Sequence, residues 1–179
     1  MTSLRRRDVC PSATAGVCLV LAMVLSLVLF MPVFAEHHET LSADRAQQIE
    51  QACLKTNRDY QYYRDRGDAQ AYASLFSEQG EFVLSNTVSG RKAIAAAMTK
   101  RFSEQRSRHF TNVVQMNATG PHSAEGLVYL LLFRGPQGET SPLAIDGMDL
   151  VAQYHDQYEM EGDRCLIRQR RVEVIFTRR

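Results

Sequence analysis

Tryptophan is absent from the 179 residues, and charge of either sign in excess is absent too, with 21 Lys plus Arg set against 20 Asp plus Glu. A balanced chain of this kind demands neither nucleic acid nor an anionic membrane surface as a partner. No glycine-rich nucleotide loop, nucleophile elbow or metal-ligand motif occurs, which removes the commonest cofactor and hydrolase chemistries. Repeats, linkers and low-complexity tracts are missing after residue 35. Cysteine is sparse. Of four, Cys10 and Cys18 fall near the N-terminus, and Cys53 and Cys165 stand far apart without histidines at zinc-site spacing. What is present is apolar and aromatic material, with eight Phe and seven Tyr available to line a core and a cavity.

The N-terminal segment has the layout of an export leader. Arg5, Arg6 and Arg7 form a basic start, Ala15 to Phe34 is almost wholly apolar, and Val33-Phe34-Ala35 places small residues before Glu36. An uncleaved anchor is the alternative, because the apolar run approaches the ~20 residues that span a bilayer. The expectation is an exported, periplasmic or extracellular protein in which residues 1–35 are a signal peptide and residues 36–179 one domain. No stable membrane association is expected after leader removal. In an oxidising compartment Cys53 and Cys165 are free to pair, but spacing alone leaves the bridge open.

Along residues 36–179 the hydrophobic period is first helical and then two. Ser42 is a plausible N-cap, Ile49, Cys53, Tyr60 and Tyr63 lie on one helical stripe, and Gly67 is placed to stop the helix. Asp68 caps a short second helix in which Tyr72, Ala73 and Phe76 share a face. Glu81 to Leu84 predicts a strand, Asn86 to Ser89 a turn or short strand, and Gly90 the start of a third helix carrying Ile94, Ala97, Met98 and Phe102. Alternation then predicts strands over His109 to Met116 and Glu125 to Arg134. Residues from Gly135 through Pro142 form a turn-rich loop. A bent strand is expected over Ala144 to Met160, with Gly147 as a bulge, then a turn at Glu161-Gly162-Asp163 and a last strand to Phe176. Helices followed by long antiparallel strands imply an α+β fold.

Taken together, Asp65-Arg-Gly-Asp68 with Tyr72 and Phe76, Gly90-Arg91-x-x-Ile94, His109 with Asn112, and Tyr154-x-Asp156-x-Tyr158 before Gly162 and Arg170 resemble the NTF2-like superfamily, and within it the SnoaL-like branch. The resemblance implies a cone-shaped fold, three N-terminal helices packed on a strongly curved, mostly antiparallel sheet. It also implies a conical pocket for a small, largely apolar molecule, and a homodimer formed through the convex sheet face. Relatives include polyketide cyclases, scytalone dehydratase and bile-acid dehydratases, but also proteins without known activity, so the fold leaves the chemistry open. A tryptophan usual after the last hairpin turn is replaced by Cys165.

The dehydratase relatives carry a Tyr, an Asp and a His at places comparable to Tyr60, Asp65 and His109. An imidazole with pKa near ~6.5 can remove a proton beside a carbonyl at neutral pH, and a tyrosine hydroxyl in an apolar cavity can stabilise the resulting oxyanion. The bland alternatives are a turn-holding Asp65, a core Tyr60 and a merely hydrogen-bonded His109. The strand Leu127 to Phe133 lacks the acid that would orient the histidine, so Asp146 on the next predicted strand is the candidate for that role. Tyr63, Tyr72, Phe76, Asn112 and Tyr129 are expected to line the ligand pocket. The expected function is ligand binding without demonstrated catalysis; the alternative is a cofactor-free lyase or isomerase with His109 as general base. Arg168, Arg170 and Arg171 are by default a solvated or ion-paired face, with the alternative that one of them binds an anionic ligand, and no metal is expected at His37-His38, His122 or His155.

Overall fold

The computed structural model describes residues 40–138, 142 and 144–178. The expected leader, residues 1–35, and the His37-His38 pair lie outside the described residues, as does part of the expected 135–142 loop. Helix α1 (Ala43–Arg66) begins at Ser42, whose side chain accepts a hydrogen bond from the Arg45 amide at 3.2 Å, and ends at Gly67 with φ 76°. A left-handed residue there lets the Gly67 amide return to the Tyr63 carbonyl, a closure that glycine makes without a Cβ penalty. Asp68 caps the one-turn α2 (Ala69–Ala73) by accepting from the Ala71 amide at 2.9 Å. Helix α3 (Arg91–Glu104) follows the first two strands. Of the three helices, therefore, only two precede the sheet in the chain.

The strands are β1 (Phe76–Val83), β2 (Thr87–Ser89), β3 (Gln105–Gly120), β4 (Ser123–Pro136), β5 (Leu150–Glu161) and β6 (Arg164–Thr177). They form one sheet in the order β2-β1-β6-β5-β4-β3, antiparallel except for the β1–β6 pair. Two sequence expectations shift. Phe76, placed on the short helix by its spacing, starts β1 instead, because α2 ends at Ala73. Residues 144–149 precede β5 as irregular chain, so Gly147 (φ 114°) belongs to that connection and not to a strand bulge.

One face of β3–β6 packs on α1. Ile49, Cys53, Tyr60, Tyr72, Phe76, Val128, Leu130, Leu132, Tyr154, Tyr158 and Ile167 form the core. The alternation that dictates this is regular on β4, where Val128, Leu130 and Leu132 face inward and Tyr129 and Leu131 outward. On β6 it is broken by a register shift opposite Gln157 and Tyr158, so that Ile167 and Arg170, three apart, both face the core. A disulfide joins Cys53 on α1 to Cys165 on β6, with Cα atoms 5.0 Å apart. It occupies the place where the resemblance leads one to expect tryptophan. Next to it the Thr56 hydroxyl donates to the Cys165 carbonyl at 2.6 Å. Helix and strand are thereby fixed to each other at the middle of α1, about three turns before Asp65.

Candidate functional site: a buried histidine, a carboxylate and two arginines

His109 is on β3, the edge strand of the sheet, and its ring is buried at 3 % exposure. Its Nδ1 lies 2.6 Å from Oδ1 of Asp65, and its backbone N–H donates to both carboxylate oxygens at 3.1 and 3.0 Å. Asp65 therefore does two things from the last turn of α1. It covers an amide that the edge strand would otherwise leave unpaired, and it holds the imidazole with Nδ1 as donor. Nε2 then keeps its lone pair, and no partner for it occurs among the described residues. Burial lowers the His109 pKa below the usual 6.5, the Asp65 hydrogen bond acting against that and the Arg64 charge reinforcing it. The ring is neutral at pH 7, which is the form of a general base.

The expectation that Asp146 orients His109 is corrected by this contact. Asp146 stands in the connection before β5, ion-pairs with Arg178 at 3.6 Å, and has a side chain that is 92 % exposed. The carboxylate missing from β4 is supplied by the helix, which carries it in across the strand edge. Helix-to-strand proximity of this kind has no signature in strand order.

Tyr60 is buried at the centre of an aromatic group. The Tyr72 hydroxyl donates to the Tyr60 hydroxyl at 2.9 Å, the two ring centroids are 4.8 Å apart, and Tyr154 and Phe76 pack against Tyr60 at 5.9 and 6.4 Å. Burial raises the Tyr72 and Tyr154 pKa values well above 10, so both remain protonated donors. The remaining candidates diverge. Tyr63 is half-buried against Tyr62, and its expected place on the helical stripe is taken by Arg64. Asn112 and Tyr129 face each other across β3 and β4 on the outer side of the sheet, where Tyr129 is half exposed. Neither lines the interior that holds Tyr60 and His109.

Sequence spacing missed two residues that matter here. Arg170 is fully buried. Its Nε and Nη2 donate to the two oxygens of Asp156 at 2.8 and 2.5 Å, and Nη2 also reaches Oδ1 of Asn57 at 2.6 Å. The Tyr158 hydroxyl accepts from Asn57 and donates to Asp156, which closes the network. The guanidinium lies 3.9 Å from the Tyr60 ring centroid and 4.4 Å from that of Tyr154, while its Nη1 is buried without a partner. Such an orphan donor is rare in a folded interior and asks for an acceptor. Arg64, the second residue, is buried between Phe102 and Tyr72 at the same end of α1 as Asp65. The signal available in sequence was a polar residue falling on the apolar stripe, at Asn57 and Arg64 alike.

Five concavities among the described residues have linings without Tyr60, Tyr72 or His109. One of them, about 410 Å³, is lined by Arg64, Asp65, Phe102 and Ser107 together with Arg66, Arg106, Arg108 and Gln137. Among the described residues no cluster of three or more His, Cys, Asp or Glu could hold a metal ion, and no helix is long and apolar enough to cross a membrane.

Solved structures share the fold. One, named as a putative scytalone dehydratase from Novosphingobium aromaticivorans, superposes with a TM-score of 0.66 at 19% identity, covering 76% of this chain and 91% of that one. A protein of unknown function from Mycobacterium tuberculosis gives 0.62 at 20% identity over 72% and 73% of the two chains. ActVI-ORFA from Streptomyces coelicolor gives 0.58 at 20% identity over 69% and 95%. No curated protein matches significantly. Residues 45–171 match the profile of the SnoaL-like domain, a span that takes in α1 with Tyr60 and Asp65, the edge strand with His109 and the last strand with Arg170, and the chain belongs to that family.

Proposed function

We propose that this protein binds a small, largely apolar carbonyl compound and catalyses proton transfer on it without a cofactor, as a lyase or isomerase. The observation that carries the reading is the buried His109–Asp65 pair, 2.6 Å apart, with Nε2 left as a free lone pair. Nε2 of His109 removes the proton on the carbon beside the carbonyl. The electron pair moves onto the carbonyl oxygen, where the Tyr60 hydroxyl donates a hydrogen bond to the oxyanion. In an isomerase the imidazolium returns the proton to another carbon. In a lyase it passes the proton to a β-hydroxyl, the C–O bond breaks as the C=C bond forms, and water departs. Arg170 Nη1, the orphan donor, supplies a second hydrogen bond to the oxygen-bearing end of the ligand. Asp65 is a positioning residue that fixes the ring and stabilises its charged form.

A non-catalytic binding module is the second reading, and the close packing of Tyr60, Tyr72, Tyr154 and Arg170 favours it. The two separate on α-proton exchange of 2-tetralone in D₂O, followed by NMR. Catalysis requires exchange above the buffer rate, lost in His109→Gln and reduced about 10- to 100-fold in Asp65→Asn. Exchange equal to buffer, or untouched in His109→Gln, removes the enzyme reading.

Two further assignments accompany it. The leader pattern together with the Cys53–Cys165 disulfide, which persists in oxidising compartments, supports an exported protein. The outer sheet face carries Phe110, Leu131, Val151 and Phe176 in one cross-strand row, with Phe110 at 58% and Phe176 at 63% exposure. That apolar row supports burial against a second copy in a homodimer.

A further inference from the structure

Arg64 is unlike the other arginines of this domain. It projects from the last turn of α1 into the space bounded by Phe102 and Tyr72, with its guanidinium carbon 4.9 and 5.9 Å from the two ring centroids, and the residue is 7 % exposed. Arg170 has Asp156, Arg134 has Asp149 and Arg91 has Glu78. Arg64 has no hydrogen-bonding or ion-pairing partner among the described residues. Its sequence neighbour Asp65 is engaged with His109. Aromatic faces attract a guanidinium through its plane, but its five N–H groups point outward along the edge and still need acceptors. Those edges border the 410 Å³ concavity, whose lining holds four arginines, Arg64, Arg66, Arg106 and Arg108, against the single carboxylate of Asp65.

The bland account of the basic rim is sound for three of the four. Arg108 donates to the Asp65 and Ser107 carbonyls, Arg106 to Gln137, and Arg66 stacks on Tyr62. Cations at a helix C-terminus are also favoured by the helix dipole. Neither explanation covers a guanidinium held between two rings at 7 % exposure whose N–H groups have no protein acceptor among the described residues and open only toward the concavity. Crowding of positive charge is visible in Arg101 as well, whose pKa is lowered first by burial and then by Arg64 and Arg134.

We infer that Arg64 and this concavity form an anion subsite that takes the carboxylate of a small apolar acid, with the acid's ring or chain lying against Phe102. A planar guanidinium presents two parallel donors that match one carboxylate, and the adjoining aromatic surface matches an apolar body. The inference rests on the proposed function and adds its substrate class: a carboxylated carbonyl compound, anchored at Arg64 beside Asp65, the carboxylate that holds His109.

The test is isothermal titration of the full domain with 2-naphthoate, its uncharged isostere 2-naphthamide, and inorganic phosphate, each at two salt concentrations. Expected is at least ten-fold tighter binding of naphthoate than naphthamide, weakening as salt rises. The preference disappears in Arg64→Met and persists, reduced, in Arg64→Lys, with circular dichroism confirming that both fold. Equal affinities for the two naphthyl probes, a preference that survives Arg64→Met, or phosphate binding as tight as naphthoate overturns the inference. His109→Gln distinguishes this subsite from the catalytic reading, because it abolishes proton exchange and leaves the naphthoate preference intact.

Discussion

Replacing Asp156 with Asn tests the interior more sharply than any change at the surface. The substitution keeps the side-chain volume and removes one charge from a pair whose side chains are both at 0% exposure. Of the two charge-assisted hydrogen bonds from Arg170, at 2.8 and 2.5 Å, one would be lost to an NH₂ that repeats its own donors and the other would be left with a neutral acceptor. Removing one partner of a buried pair costs roughly 3–5 kcal/mol, because the other charge stays buried without compensation. Against a typical net stability of ~5–15 kcal/mol that is a large share. With a urea m-value of about 2 kcal/mol/M it lowers the midpoint by roughly 1.5–2.5 M. The assay is urea unfolding with the disulfide intact, read by circular dichroism. Asp156→Leu combined with Arg170→Met removes both charges and recovers most of the loss, since apolar replacements of buried pairs are often neutral. A loss below about 1 kcal/mol in Asp156→Asn, or no recovery in the double variant, would refute a dry, charge-paired interior and with it the orphan donor at Arg170.

Three other outcomes follow from the structure. Because the His109 pKa is lower folded than unfolded, the unfolded state binds the proton first. Stability is then full above the unfolded value of ~6.5 and falls as pH drops through the folded value; His109→Gln should flatten that slope in denaturation at pH 5 and pH 7, and an unchanged slope would assign it elsewhere. Replacing both Cys53 and Cys165 with Ala should cost up to about 4.7 kcal/mol, the loop-entropy figure for ~100 residues, applied to a separation of 112; a change under 1 kcal/mol by urea unfolding would contradict the cross-link. If the proposed homodimer forms, Leu131→Glu should convert it to monomer in light scattering without loss of folding, and a monomeric unmodified protein would remove the proposed interface.

The sequence by itself settled most of the local structure. Ser42, Gly67, Asp68 and Gly90 mark helix ends through capping and left-handed backbone, which act within a few residues and are legible from the chain. The alternation on β5 likewise sets Tyr154 and Asp156 on the face opposite His155, because the strand period is two; which face is buried is decided by the tertiary structure, which puts Tyr154 and Asp156 inside. Tyr60, Asp65 and His109 were visible as residue types in a recurring order, but not as a contact.

Tertiary structure decided the partnerships. Asp65 reaches His109 because the end of α1 crosses the free edge of β3, and Asp146 is excluded because its segment never joins the sheet. A register shift between β5 and β6 at Arg168 resets the alternation, so that Arg170 enters the core three residues after Ile167 while Arg168 and Arg171 stay outside. Arg64 takes the buried position that hydrophobicity assigned to Tyr63, since two aromatic faces can hold a guanidinium that spacing alone would leave in solvent. Local forces are additive along the chain and so can be read from it; a buried charge is settled only by what surrounds it once distant segments meet.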